Sequence, residues 1–387
     1  MSATVEEEAM IRDSAKLCDL VRLGAALSGV AVLAVASPSA AQFVVTDLHP
    51  SGSLSSLAAG IGDGQQVGYG NDPSSGLPHA LLWTGSPDSV VDLNPSGFDS
   101  SEATGASGGQ QVGFAPTRGY LRAMLWTGTP ASAVDLTPAG FLTSIAYGVG
   151  DGRQVGSYQP GGAEHAVLWA GTPESAIDLH PAQLHFPWSR AMGVGDGQQV
   201  GFVMNPRTLH ALLWTGAPES AVDLNPAGFS TSAAYGVSGG QQVGSGLTGA
   251  SEHALLWTGT AESVVDLHPA GYRHSRALGV AGCQQVGLAV DPTTTNNHAM
   301  LWTGTADSAV DLHSFLPPVW TMSVATGIDA DGNIVGWACC DGAGGGHAML
   351  WTPSIAADDT GGGDTRTGHT GGHRHRPHRM TSTSLMQ

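Results

Sequence analysis

The chain has 387 residues, of which 56 are Gly and 22 are Pro, and only 12% are charged. Low charge with abundant Gly and Pro argues against helices and suits many short strands joined by tight turns. The net charge is −18, and seven arginines stand against 24 acids between residues 42 and 353. Such a surface repels phosphate backbones, so nucleic acid is not expected as a partner, and it lacks the basic patch that draws a protein to anionic membranes.

The chain begins with a segment unlike the rest. Leu23 to Ala36 is an apolar run of 14 residues, preceded by Arg22 and followed by the small residues Ser39-Ala40-Ala41. This predicts a secretory signal peptide over residues 1–41, cleaved before Gln42. The run is short for a membrane span; a retained anchor is the alternative. Either places the remainder outside the cytoplasm, with no stable membrane insertion once the signal is cleaved. Cys18 leaves with the signal, and the remaining Cys283, Cys339 and Cys340 are too few for a disulfide framework. The expectation is free or locally paired thiols.

From His79 a repeat takes over. His79-Ala-Leu-Leu-Trp-Thr-Gly85 returns with small changes, its Trp at positions 83, 126, 169, 214, 257, 302 and 351. A period of 43 to 49 residues signals stacked or radial repeats. Within one unit, Val90-Val91-Asp92-Leu93 reads as a strand ended by Asn94-Pro95. Ser101 to Ser107 is a second strand, Gly108-Gly109 a hairpin turn, Gln110 to Phe114 a third strand and Ala123 to Trp126 a fourth. Four strands of about five residues each make a propeller blade.

Register decides how the array ends. Asp-Leu occurs seven times, from Asp47 to Asp311, and the Val-Gly strand seven times, from Val67 to Val335. The chain opens on an Asp-Leu strand and closes on a Leu-Trp strand, so the first unit has a spare strand and the last lacks one. An open array has no reason to be out of phase. The fold class predicted is therefore all-β: a seven-bladed β-propeller of four-stranded blades over residues 42–355, with the N-terminal strand, Phe43 to Leu48, closing the last blade and hiding two sheet edges.

The repeated residues read as structural. The Trp side chains fill the gaps between blades, and the Gly of Gln-Gln-Val-Gly permits close backbone approach or a bulge. His79, His165, His210, His253, His298 and His347, with Arg122 in the second copy, open the strand before each Trp. Equivalent positions on separate blades lie too far apart to share one ion, so no metal site is assigned and each His is expected to bond turn or neighbouring backbone. The Asp of each Asp-Leu is expected to accept backbone N–H groups. Asp329-Ala-Asp-Gly-Asn333 resembles the start of a calcium loop, but its Gly is at the fourth position and no Glu closes it, so a hairpin turn is expected.

Variable loops follow each Val-Gly strand, at residues 70–78, 115–121, 158–164, 203–209, 246–252, 289–297 and 338–346. They should share a face with the connections carrying Phe98, Phe141, Phe186, Trp188, Phe229, Tyr272 and Trp320. Variable loops beside aromatics on a rigid face suit a binding surface; solvated connectors are the alternative. The departures from the repeat are Arg118, Arg122, His185, Arg190, Arg207, Arg273, His274 and Arg276.

These units resemble the HAF repeat, a bacterial family of extracellular repeats. The resemblance rests on His-Ala-Leu-Leu-Trp, the following Asp-Leu and the Gly-x-Gln-Val-Gly strand, and covers Phe43 to about Pro353. Leu81 and Met300 stand where the family shows Phe, and Ile328 to Gly336 is closest to its usual hairpin. The resemblance implies an exported bacterial repeat protein and brings no catalytic residue and no ligand.

Beyond the repeats, residues 356–387 shift to Gly, Thr, Ser and Asp and then to His and Arg, which predicts a disordered tail. His369, His373, His375 and His378 are opposed as metal ligands by Arg374, Arg376 and Arg379. The leading expectation is a secreted, cell-surface or periplasmic binding scaffold for a glycan or protein. The alternatives are a polysaccharide lyase or hydrolase using the loop face and a structural surface-layer component. No catalytic residue and no cofactor is assigned, and the ligand-binding residues stay open.

Overall fold

The computed structural model describes residues 42–340 and 345–354. Residues 1–41, where a signal peptide is expected, with Cys18, residues 341–344 of the last variable loop, and the expected tail from residue 355 lie outside these residues. Among the described residues the strands form seven four-stranded antiparallel sheets, the blades of a seven-bladed β-propeller.

Blade 1 shows the plan. Its strands, from the axis outward, are Ser56–Gly62, Gln65–Asn71, Pro78–Trp83 and Val91–Asp92. The outer strand has only two residues, shorter than the expected Val90 to Leu93. A 3-10 turn, Pro87–Ser89, delivers the chain to it, and Leu93 adds one last bond, its N–H to Ala80 O at 2.8 Å. A short outer strand also leaves little exposed edge to recruit another chain.

The inner strand carries a bulge at Ala59, where the register shifts between Ala58 and Gly60. All seven inner strands share this shift, as at Ala146/Gly148 and Ala325/Gly327. The bulge brings neighbouring inner strands together at glycine. A Cβ on Gly148 would lie 2.7 Å from the Met192 carbonyl oxygen of the next blade. The Gly of Gln-Gln-Val-Gly lies opposite the bulge and does permit close approach: a Cβ on Gly68 would collide with Leu57 O.

Between blades the core is layered. Trp126 packs with Val67, Leu82 and Leu93 from the side of blade 1 and with Met124 of its own sheet. All seven repeat Trp side chains are fully buried, each contributing about 2–3 kcal/mol by removal from water. A serine stitches each pair of blades. Ser101 Oγ accepts the Ala80 N–H at 3.0 Å, and Ser56 Oγ accepts the Ala348 N–H at 3.0 Å.

Closure follows the phase of the repeats. The last blade has Met322–Ile328 inside, then Ile334–Cys339 and His347–Ser354, with the N-terminal strand Gln42–Asp47 outermost. Leu48, Ala58 and Trp83 share one core with Val335, Ala348 and Leu350. At the axis, Thr326 Oγ1 donates to Ala58 O at 2.8 Å.

Three local expectations resolve here. Residues 329–333 form the expected turn: Asp329 Oδ1 accepts the Asp331 and Asn333 N–H groups at 3.0 and 2.9 Å. The variable loops of the second and fifth blades are smaller than expected. There the strands run on, through Gln110–Thr117 into Tyr120–Trp126 and through Gln241–Thr248 into Ser251–Trp257. Of the thiols expected to be free or locally paired, Cys283 is disulfide-bonded. No helix among the described residues is long and apolar enough to cross a membrane.

Candidate functional site on the loop face

The connections from second to third strand and from outer strand to the next blade lie on one face. Ser101, entering blade 2, donates its N–H to Pro78 O at the loop end of blade 1. The repeated polar residues of this face satisfy one another. His79 Nδ1 bonds Asp92 Oδ2 at 2.7 Å, and the same pair recurs as His165–Asp178, His210–Asp223, His253–Asp266, His298–Asp311 and His347–Asp47. This corrects the expected backbone partner. The third strand's first residues sit beside the outer strand, so the nearest acceptor is the carboxylate. Arg122 fills the same role, its Nε donating to Asp135 Oδ2 at 2.8 Å. The other carboxylate oxygen accepts backbone N–H as expected, from Asn94 to Asp92 at 2.7 Å for example.

Two residues after each Asp, the side chain completes a second link. His180 Nδ1 meets Ser189 Oγ at 2.9 Å, and Ser189 Oγ already accepts the Ala166 N–H at 2.9 Å. The serine hydrogen therefore goes to His180 Nδ1, leaving the ring proton on Nε2, beside the Phe186 carbonyl. Asn94 copies this with its amide, accepting from Ser101 Oγ at 2.7 Å and donating to Phe98 O at 2.9 Å. Where the residue is His, it stacks on the repeat His: His49 on His347, His180 on His165, His268 on His253 and His313 on His298, with centroids 3.8 to 4.2 Å apart. Burial, and then the neighbouring His, holds His49, His180, His268 and His313 below the ordinary imidazole value.

The connection aromatics roof these pairs. Phe186 lies 5.2 Å from His210, Trp320 lies 4.9 Å from His347, and Tyr272 Oη donates to Asp311 Oδ2 at 3.3 Å. Burial and the Asp311 charge push the Tyr272 phenol up to about 12. They are part of the fabric of the face and not a free aromatic surface.

What breaks the repeat gathers nearer the axis. In blades 1, 2 and 7 the bulge residue is Ala59, Thr104 or Thr326, and a second-strand aromatic, Tyr69, Phe114 or Trp337, lies nearby. Blades 3 and 5 reverse this. Tyr147 and Tyr235 occupy the bulge, and Ser157 and Ser245 replace the aromatic. The small serine admits a glutamate at the end of the loop. Ser157 Oγ donates to Glu164 Oε1 and Ser245 Oγ to Glu252 Oε1, both at 2.7 Å. An arginine from the next inner strand completes each set: Arg190 Nε lies 2.7 Å from Glu164 and Arg276 Nε 2.7 Å from Glu252. Arg190 also lies over the Phe202 ring at 5.9 Å.

Of the eight departures read from the sequence, Arg190 and Arg276 thus reach equivalent sites two blades apart. His274 joins the second, its Nδ1 accepting the Glu252 N–H at 3.2 Å. Arg122 belongs to the repeat network. Arg118, His185 and Arg207 are exposed, the first two with left-handed φ of 50° and 58°. Arg273 is exposed and pairs its backbone with Val290. The glutamates, tyrosines and serines of the two sets are not among these departures. Aligning the seven copies column by column exposes them, because Glu precedes the repeat His only at 164 and 252.

Beside the Glu252 set lies a cavity of about 250 Å³, lined by Leu209, Thr231, Tyr235, Ser245, Leu247 and Glu252 among others. Among the described residues no three His, Cys, Asp or Glu side chains gather as a metal-binding group.

No family model and no curated protein matches the chain. Solved structures match in fold. Oligogalacturonate lyase from Vibrio parahaemolyticus aligns over 81% of this chain and 94% of its own, at 11% identity and a TM-score of 0.53. A prolyl endopeptidase aligns over 80% of this chain and 51% of its own, at 8% identity and a TM-score of 0.51. Puromycin hydrolase aligns over 78% of this chain at 13% identity and a TM-score of 0.48, and the chain spans only 52% of its length. At these identities the likeness is one of propeller architecture.

Proposed function

We propose that this protein is an exported, non-catalytic binding scaffold that recognises its ligand on the loop face of the ring. One observation carries the reading. The repeated Asp, His and Ser side chains of that face bond one another, while the residues that break the repeat gather as matched polar sets near the axis. A rigid frame with local divergence is the arrangement a recognition surface needs. The apolar run before Ser39-Ala40-Ala41 and the resemblance of the units to HAF repeats support export of a bacterial protein.

The test is a screen of the full chain on glycan and peptide arrays, with product analysis of every hit. Saturable binding of intact ligand is the expected result. Cleavage of a bound polysaccharide overturns the non-catalytic reading. Concentration-dependent self-assembly without any ligand favours a surface-layer component instead.

A further inference from the structure

Resting on the binding-scaffold reading, we propose that the cavity beside Glu252 is a subsite for one neutral sugar ring. Its walls are of two kinds. Leu209, Ala233 and Leu247 are apolar and lie with the ring of Tyr235. Thr231, Ser245 and Glu252 supply hydroxyls and a carboxylate. A sugar has the matching two characters, C–H faces that pack on apolar surface and hydroxyls that need paired donors and acceptors.

The carboxylate is held for this task. Glu252 Oε1 accepts from Ser245 Oγ and lies 2.7 Å from Arg276 Nε. The second oxygen is the acceptor a sugar hydroxyl requires, and a charge-assisted bond is the stronger kind. Arg276 acts through Glu252, as a positioning residue that fixes the rotamer and balances the charge. Size agrees as well. Drug-sized ligands occupy pockets of ~300–1,000 Å³, and about 250 Å³ suits a single ring.

Charge selects against the alternatives. Glu252 and Arg276 together are neutral, and the chain carries −18 overall. A uronate or phosphorylated sugar meets a repulsive field, and no Arg, Lys or His stands among the residues that line the cavity. The polar set recurs at Tyr147, Ser157, Glu164 and Arg190, so the arrangement arose twice in one ring.

The experiment titrates the full chain by calorimetry with neutral gluco-, manno- and galacto-oligosaccharides, with uronate oligosaccharides and with peptides of similar size. Glu252→Gln and Leu247→Trp are compared with the parent, with melting curves for each. A neutral oligosaccharide is expected to bind, and each variant to weaken it by about tenfold or more, the loss of one charge-assisted hydrogen bond or of the space itself. Leu247→Trp keeps the Glu252–Arg276 pair, so it carries the test should Glu252→Gln fail to fold. Neutral-sugar binding untouched by both variants overturns the cavity and leaves the scaffold standing. Binding of uronates or peptides alone overturns the neutral-sugar assignment and also leaves the scaffold. No binding of any probe overturns both.

Discussion

His347 and Asp47 stand 300 residues apart in the chain, yet His347 Nδ1 lies 2.8 Å from Asp47 Oδ2. The pair is the repeat's own His–Asp contact, formed in the other blades within 13 residues, as between His79 and Asp92. Closing the ring is therefore the same local chemistry with its partner supplied from the opposite end. Deleting residues 42–48 strips the outer strand from the last blade and removes Leu48 from the shared core. Differential scanning calorimetry should then show one transition lowered by on the order of 10 °C or more. An unchanged melting temperature would show that the strand is dispensable.

Position 122 tests the pairing itself. Arg122→His restores the residue found in the other six blades and should leave the melting temperature within about 1 °C. Arg122→Ala leaves Asp135 without its side-chain partner. Both side chains are partly exposed, so the expected loss is modest, roughly 0.5–1 kcal/mol by chemical denaturation. Equal losses for both variants would mean that the contact adds nothing.

The stacked histidines make stability depend on pH. His49, His180, His268 and His313 have folded-state values below 6.5, chiefly through burial. The unfolded chain thus binds more protons than the fold just below that value. The stabilisation is complete above pH 6.5 and is lost as pH falls through the lower folded-state values. Replacing these four by Asn, which already serves at positions 94 and 225, should flatten the melting temperature between pH 7 and pH 5. A profile equally steep in the fourfold variant would assign the dependence to other groups.

Packing at the axis predicts intolerance to one methyl group. Gly148→Ala places a Cβ 2.7 Å from Met192 O, a backbone atom that cannot swing aside. Expected destabilisation is about 1–3 kcal/mol, measured by denaturant unfolding. Trp214→Ala, by contrast, empties a fully buried site and should cost about 3–5 kcal/mol. If Gly148→Ala melts with the parent, the inner strands are not in contact as described.

Export has a direct readout. Protein recovered from outside the producing cells should begin at Gln42 on N-terminal sequencing. A chain retained in the membrane with residues 1–41 attached would replace cleavage by anchoring.

Much of the architecture was legible in the sequence because it repeats. Seven copies of Asp-Leu, Val-Gly and Leu-Trp fix the blade number, and their phase alone determines that the N-terminal strand must complete the last blade. The burial of each Trp follows from the same regularity, since two-sided sheets have no other place for it. What only the tertiary structure decided lies between residues that no period connects. The partner of each His is a carboxylate because the third and outer strands bring them side by side, a distance that periodicity does not state. Six outer strands hold only two residues, each entered from a 3-10 turn, while the last blade's, supplied from the opposite end of the chain, holds six. Glu252 and Arg276 belong to different blades and meet only because blades stack. Side-chain contacts across blades depend on the angle and spacing of neighbouring sheets, and those are set by the bulge and the glycine contacts at the axis.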